Sequence, residues 1–241
     1  MTSVADRPHR TPIWIVVCLT LGSLLLVALL LVRPFGFQPF NVPSGAMQPT
    51  LLIGDYFFVS KYAYGYSRYS LPFSLPLFSG RIFGAQARYG DVVVYRYPRD
   101  TSVDYVKRVV GLPCDRIQMI QGQLYLNGAP VKRERLADII EEGRPAKHWR
   151  ETLPNGASYE TLDITDNGFL DNTRIYVVPA GAYFVLGDNR DNSQDSRVAA
   201  HGYVPFDNLI GRVDTIFWSV NPNAPAGAAP VRVERIGMRV R

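Results

Sequence analysis

Twenty consecutive residues without a charged side chain, 13–32, constrain this 241-residue chain more than any other feature. As an α-helix the run would be roughly 30 Å long, which is the hydrocarbon thickness of a bilayer. The apolar region of a cleaved export signal is shorter and ends in a small-residue cleavage site, whereas this run exits into Arg33 and Pro34. A buried helix that is apolar on every side would need an unusually large core. The run therefore predicts a transmembrane anchor over 13–32.

Basic residues at the two ends of the run predict its orientation. Arg7 and Arg10 precede it and Arg33 follows it, and basic residues favour the cytoplasmic side of a membrane. We therefore expect a cytoplasmic tail over 1–12 and one extracytoplasmic domain over 33–241.

The composition narrows the class of domain. The chain is 47% apolar and 20% charged, as in an ordinary folded protein. Cys18 lies inside the predicted anchor and Cys114 in the domain, so they cannot pair and a disulfide-dense scaffold is excluded. The three histidines lack the spacing of a zinc site. The net charge of +5 is spread along the chain, which supports nucleic-acid binding only weakly.

Beyond the anchor the pattern is that of β-structure. Residues 91–97 are β-branched and aromatic, and 209–220 alternate between apolar and other residues. The segments 116–120 and 123–126 flank a glutamine–glycine pair and predict a hairpin. Only 134–142 has a short helical period. Many short strands with frequent turns predict a mostly β domain, either a barrel or a sandwich.

Residues 62–83 form a segment of different character, rich in tyrosine, phenylalanine and proline. Prolines and glycines exclude a long helix here. Aromatic rings together with Arg68 and Arg81 suit a loop at a membrane interface. An aromatic loop packed on the β domain has the same composition, so both interpretations stay open.

Four stretches resemble, in their order, the motifs of bacterial type I signal peptidases. They read PSGAMQPTLLIGD at 43–55, YGDVVVYRYP at 89–98, DYVKRVVGLPCD at 104–115 and GDNRDNSQDSRVAAHGYVPFDNLIGR at 187–212. Proteins of this family are membrane-bound serine endopeptidases that remove signal peptides from exported preproteins with a Ser/Lys dyad. The resemblance implies a signal-peptidase-like β-barrel or sandwich behind a transmembrane helix, on the periplasmic face of the bacterial inner membrane. It implies signal peptides and membrane lipid as partners, no nucleic acid, and no metal or organic cofactor.

A lysine is the general base in this family, and the resemblance gives that role to Lys107. A lysine amine ordinarily has a pKa near 10.4 and is protonated at neutral pH. Burial against apolar neighbours disfavours the ammonium form and lowers the pKa. Alternation along a strand would place Tyr105, Lys107 and Val109 on one face. Without the family motif, a lone lysine on a strand is a solvated surface charge.

The resemblance gives supporting roles to the polar loop of the fourth stretch. Ser193 would orient the lysine amine, and Asp195 with Arg197 would form an ion pair that holds the loop. Asp188 and Asn189 would begin the turn that brings these groups to the site. Without the resemblance the same residues read as a polar surface loop, or as a weak calcium loop that lacks the glycine and glutamate of an EF-hand.

The first stretch departs from the family at its nucleophile. The family motif is Ser-Gly-Ser-Met with the second serine attacking the peptide, and this chain has Ala46 there. A methyl group cannot attack a carbonyl carbon. Three interpretations stay open: an engineered substitution, a natural copy with lost or weak proteolysis, or Ser44 as substitute nucleophile. In the family the Ser44 position lines the oxyanion hole, where one donor is worth roughly 3 kcal/mol.

A second departure is Cys114, where the family motif has glycine. A Pro-Gly turn needs a positive φ at the glycine. We therefore expect Cys114 to be strained by about 1 kcal/mol or to change the turn type.

The resemblance also implies a substrate with small residues at the first and third positions before the cut. We expect this peptide to bind by strand addition along 42–44 and 104–106. Met47, Leu51 and Tyr105 are the candidates for lining its shallow pockets.

The sequence thus predicts a signal peptidase I that is impaired or inactive because of Ala46. One alternative is a non-catalytic pseudo-peptidase that binds signal peptides without cutting them. Another is a related plasmid-transfer peptidase with a narrower substrate.

Overall fold

The computed structural model describes residues 12–71, 74, 78–141, 143–225, 227 and 229–241. Residues 1–11 of the predicted tail lie outside this part of the chain. The predicted interface loop 62–83 lies partly outside it.

The apolar run forms the helix α1 (Ile13–Phe35), as the sequence predicts. Among the described residues, no helix is both long and apolar enough to span a membrane. The helix is therefore confirmed, and the span predicted over 13–32 is not.

The remainder of the described chain is built from short strands. They are β1 (Phe37–Asn41), β2 (Asp55–Ser60), β3 (Val92–Tyr97), β4 (Asp100–Gly111), β5 (Arg116–Ile120), β6 (Gln123–Leu126), β7 (Ala129–Pro130), β8 (Lys132–Arg135), β9 (Ile139–Glu141), β10 (Arg144–Thr152), β11 (Ser158–Asp163), β12 (Tyr176–Val177), β13 (Ala182–Leu186), β14 (Val204–Pro205) and β15 (Leu209–Ser219). Single 3₁₀ turns occur at Gly45–Met47, Lys61–Ala63, Arg68–Ser70, Phe206–Asn208 and Val233–Arg235. The prediction of a mostly β domain is confirmed.

Seven strands form the main sheet, in the order β1-β2-β15-β3-β4-β13-β14. Two four-stranded sheets, one around β10 and one around β5 and β6, stand beside it. In the described residues β1 and β14 each pair on one side only, so the main sheet is open. The barrel that the sequence allowed is therefore corrected to a set of open sheets.

The main sheet forms because its central strands bury apolar side chains on both faces. In β3, Val92, Val93, Val94 and Tyr95 are all buried, as expected for a continuous β-branched run at the centre of a sheet. The predicted hairpin is β5 and β6, which pair with Ile117 opposite Leu126.

The helical period of 134–142 does not produce a helix. Its described residues lie in β8, in the connection 136–138 and in β9, and the two strands pair with β10 through registers such as Glu134 opposite Arg150. Residue 142 lies outside the described chain. Pairing with a neighbouring strand outweighs a weak local helical propensity, which accounts for the wrong prediction.

Candidate active site

A cleft of about 600 Å³ lies between the segment after β1 and the strand β4. The segment after β1 contributes Ser44 and Ala46, and β4 contributes Tyr105 and Lys107. The remaining lining residues are Phe40, Asn41, Pro43, Phe57, Val94, Val103, Asp104, Val106, Asn192 and Gln194. The cleft thus brings together four of the site residues predicted from sequence.

The two other predicted pocket residues lie elsewhere. Met47 and Leu51 are 1% and 0% exposed and belong to the core cluster that also contains Phe57 and Val59. Met47 ends the 3₁₀ turn Gly45–Met47, and Leu51 follows it, with its N–H donating to the Met47 carbonyl at 2.9 Å. The structure therefore places Tyr105 at the cleft and Met47 and Leu51 behind it.

Ala46 lies in this 3₁₀ turn and is 8% exposed. Its carbonyl accepts a hydrogen bond from the Asn189 N–H at 3.2 Å. Ser44 precedes the turn in extended conformation and is exposed. The two residues share one cleft, but Ser44 faces more solvent than residue 46.

Lys107 is 3% exposed and pairs with Val93 across the β3–β4 ladder. Burial lowers the pKa of its amine to about 8. The negative charges of Asp195 and Asp188 raise this pKa, and the positive charge of Arg197 lowers it by a smaller amount than burial does. A desolvated lysine with such a pKa is neutral in a usable fraction of molecules near neutral pH, as a general base requires.

Asp195 and Arg197 form a fully buried ion pair. Arg197 donates from Nε to Oδ1 at 2.9 Å and from Nη2 to Oδ2 at 2.8 Å, and both side chains are 0% exposed. Asp195 also accepts the Gly187 N–H at 3.1 Å. Burial raises the pKa of Asp195, but the Arg197 charge and these hydrogen bonds bring it below its ordinary value. The carboxylate therefore stays ionised inside the loop.

Ser193 is buried on the loop that joins β13 to the ion pair. A Cβ built on Gly187 would overlap the Ser193 hydroxyl and would lie 2.6 Å from the Ala46 carbonyl oxygen. Gly187 therefore sits between the loop and the turn that carries residue 46.

The residue after Lys107 was missed by the sequence interpretation. Arg108 is 1% exposed and donates to both oxygens of Asp188, at 2.8 and 2.7 Å. It also donates to Thr50 Oγ1, the Gly90 carbonyl and the Arg241 carbonyl. Strand alternation turns Arg108 away from Lys107, and no sequence pattern shows that this opposite face is buried.

Tyr95 and His201 were also missed. Both are buried, and Tyr95 Oη lies 2.5 Å from His201 Nε2. Their positions are 106 residues apart in the chain, so no local pattern reveals the contact. Among the described residues, no group of three or more His, Cys, Asp or Glu side chains is arranged to hold a metal ion.

Open antiparallel sheets that carry a cleft lined by a buried lysine define a mostly β protein with a candidate hydrolytic site. Residues 14–218 match the family model described as signal peptidase, peptidase S26. The chain belongs to this family, and by that relationship it is a signal peptidase I-type serine endopeptidase.

Curated relatives are similar over most of the chain. A signal peptidase I of Rickettsia canadensis (strain McKiel) is 46% identical over 200 residues, which cover 79% of this chain and 75% of the relative. One of Rickettsia conorii is 46% identical over 199 residues, with 79% and 74% covered. A signal peptidase I from Enterococcus faecalis V583, of known crystal structure, is 24% identical with a TM-score of 0.35, covering 53% of this chain and 97% of that one.

Proposed function

We propose that this chain is built to remove signal peptides from exported preproteins, with Lys107 as general base and residue 46 at the nucleophile position. The observation that carries the proposal is the placement of a desolvated Lys107 and residue 46 in one cleft. Ser193, Asp195 and Arg197 support it as positioning groups on the adjoining loop.

Alanine at residue 46 removes the attacking hydroxyl from this arrangement. Loss of a nucleophile typically lowers the turnover rate by about 10⁶, while binding and the oxyanion hole leave a small residual activity. We therefore propose that the chain with Ala46 cuts preproteins very slowly. Ser44 supplies a hydroxyl in the same cleft, at the proposed oxyanion hole, and is the candidate for any residual cleavage.

The cleft suits an extended peptide. Its two walls are the backbone at 41–44 and at 104–107, whose edges can accept a strand between them. Phe40, Phe57 and Val94 give this part of the cleft an apolar lining. We propose that this apolar lining receives the small side chains of the substrate.

A membrane lipid surface is the second proposed partner. The apolar run 13–32 leads through α1 directly into β1, and we propose that it anchors the chain in the bacterial inner membrane with the N-terminus in the cytoplasm. Exposed rings continue this apolar surface along the main sheet, including Phe58, Tyr62 and Trp218. A chain lacking residues 1–33 that stays monodisperse without detergent and ignores liposomes would overturn the contribution of these exposed rings, because the deletion has already removed the anchor.

A second candidate function is capture of signal peptides without cleavage. Ala46 is the observation that favours it, because the cleft remains complete for binding while the hydroxyl is missing. A plasmid-transfer peptidase with a narrower substrate has no separate observation in its favour.

The decisive experiment is a cleavage assay in detergent on a preprotein with a small-x-small site. The assay compares the chain with Ala46, Ala46→Ser, Ser44→Ala and the double variant Ala46→Ser with Lys107→Ala. Binding of the signal peptide is measured for the same four proteins. We expect strong cleavage only by Ala46→Ser. We expect the chain with Ala46 to bind the signal peptide as tightly as Ala46→Ser does. If the chain with Ala46 cleaves strongly and Ser44→Ala abolishes that cleavage, Ser44 is the nucleophile. Binding without any gain in Ala46→Ser favours the capture function.

A further inference from the structure

His201 is a buried histidine just beyond the proposed catalytic loop. It is 4% exposed, and its backbone N–H donates to the Val198 carbonyl at 2.9 Å. The end of β3 and the turn after it hold the same segment, since Tyr97 Oη donates to the Ala200 carbonyl at 2.7 Å and the Arg99 side chain to the Ala199 carbonyl at 2.9 Å. The imidazole is therefore held in place by its own backbone and by β3.

Three tyrosine rings surround this imidazole and form with it an aromatic box of Tyr95, Tyr97, Tyr105 and His201. The ring centres of the three tyrosines lie 5.8, 5.2 and 5.1 Å from the centre of the imidazole. The Tyr95 and Tyr105 rings meet it edge to face, at 84° and 83°. The hydrogen bond between Tyr95 Oη and His201 Nε2 satisfies the buried phenol.

The aromatic box borders the Lys107 amine. Tyr105 precedes Lys107 by two residues on β4, and Lys107 Nζ lies 5.6 Å from the centre of its ring. Tyr95 is opposite Tyr105 in the β3–β4 register, and the two rings stack at 6.2 Å. The imidazole thus packs against the Tyr105 ring, which lies beside the Lys107 amine.

We propose that His201 is a positioning residue for Lys107, because its ring holds the Tyr95–Tyr105 wall in place and excludes water from the amine. The catalytic meaning of this role rests on the proposed function, whereas the effect on the amine itself does not. A histidine used in this way must be neutral, since an imidazolium would bring a second positive charge to the lysine.

The electrostatics agree with a neutral imidazole. Burial, assisted by the Lys107 charge and opposed by Asp195, lowers the pKa of His201 to about 4. The charged groups that face Lys107 are Asp195, Asp188 and Arg197 on the loop after β13. Asp195 and Asp188 raise the pKa of Lys107 and Arg197 lowers it, and the largest cause of its lowered pKa is burial, so side chains that keep water from the amine favour its neutral form.

The test measures the Lys107 pKa directly, in the full chain in detergent, by NMR of lysine labelled with ¹³C at Cε. The chain has only four lysines, Lys61, Lys107, Lys132 and Lys147, and Lys107→Met assigns the signal. We expect His201→Ala to raise the Lys107 pKa by about one unit or more, as water reaches the amine. His148→Ala, which removes a histidine paired with Glu160 on a different sheet, is the matched control and should leave it unchanged.

Two further variants distinguish a positioning role of His201 from a role in stability alone, and the Lys107 pKa is measured in each. Tyr95→Phe with His201→Phe keeps an apolar aromatic wall without the polar contact and should retain the low Lys107 pKa. His201→Gln keeps a polar group for Tyr95 but leaves room for water, so it should raise the pKa. If the Lys107 pKa is the same in the folded parent, His201→Ala and His201→Gln, the proposal is wrong, and if the alanine variant does not fold, the glutamine variant decides.

The activity arm uses the Ala46→Ser chain. There His201→Gln should move the acid limb of the kcat/KM profile upward by the shift that NMR records. An NMR shift with no cleavage by Ala46→Ser would leave the role of His201 at the amine intact and overturn the proposed function. An unshifted acid limb in an active enzyme whose amine has shifted would overturn the link to catalysis.

Discussion

Gly187 and Ser193 are in contact so close that no other residue fits at position 187. A methyl group there would overlap the Ser193 hydroxyl and press on the carbonyl oxygen of Ala46. The backbone of Gly187 does not have a positive φ, so the requirement for glycine is one of space alone. This contact sets the distance between the loop that carries the ion pair and the turn that carries residue 46.

Gly187→Ala should therefore disturb the site more than the fold. In the Ala46→Ser chain we expect kcat/KM to fall by about 10²-fold, since a displacement near 1 Å costs roughly that much. Gly84→Ala is the control, because its new Cβ would meet its nearest neighbour at an ordinary 3.4 Å. Equal activity of the two variants would show that the loop adjusts freely around Ser193.

Lys107→Met should stabilise the protein at neutral pH. Because the pKa of Lys107 falls from 10.5 to about 8 on folding, the unfolded chain binds more protons between those pH values. The free energy of unfolding then rises as pH increases from about 8 to 10.5, by about 3 kcal/mol for this group. Below pH 8 the full penalty is present, and methionine removes it.

Urea unfolding at several pH values tests this expectation. Lys61 is the internal comparison, since it is also buried, has a pKa of about 8 and donates to the Ser70 carbonyl at 2.6 Å. The pH dependence that Lys61 contributes to the free energy of unfolding should persist in Lys107→Met. A lower midpoint in Lys107→Met at pH 7 would mean that the ammonium of Lys107 is a stabilising partner of Asp195.

Arg197→Met should destabilise the chain strongly. The substitution leaves Asp195 buried without its partner, and breaking a buried pair in this way costs about 3–5 kcal/mol. Asp138→Ala removes one member of the exposed pair with Arg135 and should cost no more than about 1 kcal/mol. Thermal midpoints of the two variants compare these costs, and similar values would contradict the role of the buried pair.

Cys114→Gly should stabilise the chain by about 1 kcal/mol. Cys114 has a φ of 73°, as the motif predicts, and a non-glycine residue in this conformation is strained. Cys114→Ser retains the same backbone strain and is the matched control. Equal unfolding midpoints for the glycine and serine variants would show that the turn carries no strain.

Local patterns predicted the strands well. The β-branched run at 91–97 became β3, and the segments flanking the glutamine–glycine pair became β5 and β6 with the predicted bounds. These elements depend on alternation and turn chemistry within about ten residues. The strand pairing of 134–142 depends on β10, and the local helical period therefore misled.

The site was predictable only through the family motifs. Those motifs led to Lys107 and residue 46, which share one cleft, and to the Asp195–Arg197 pair, but not to the burial of Met47 in the 3₁₀ turn or of Leu51 after it. Arg108 reaches Asp188 across 80 residues of sequence. Contacts at that separation arise from sheet topology, which no single stretch of sequence contains.

The buried contacts of Arg108 have a consequence for how such a chain evolves. Arg108 follows Lys107 on β4 and joins Asp188, Thr50 and the carbonyls of Gly90 and Arg241 in one buried hydrogen-bonded cluster, so the strand that carries the lysine is held by contacts that the fold itself needs. A lineage that loses the hydroxyl at residue 46 still removes, by purifying selection for folding, any mutation that breaks these contacts. Selection for folding alone would therefore preserve the strand that carries Lys107, and since one nucleotide can convert an alanine codon into a serine codon, a reversion at residue 46 would find the lysine in place.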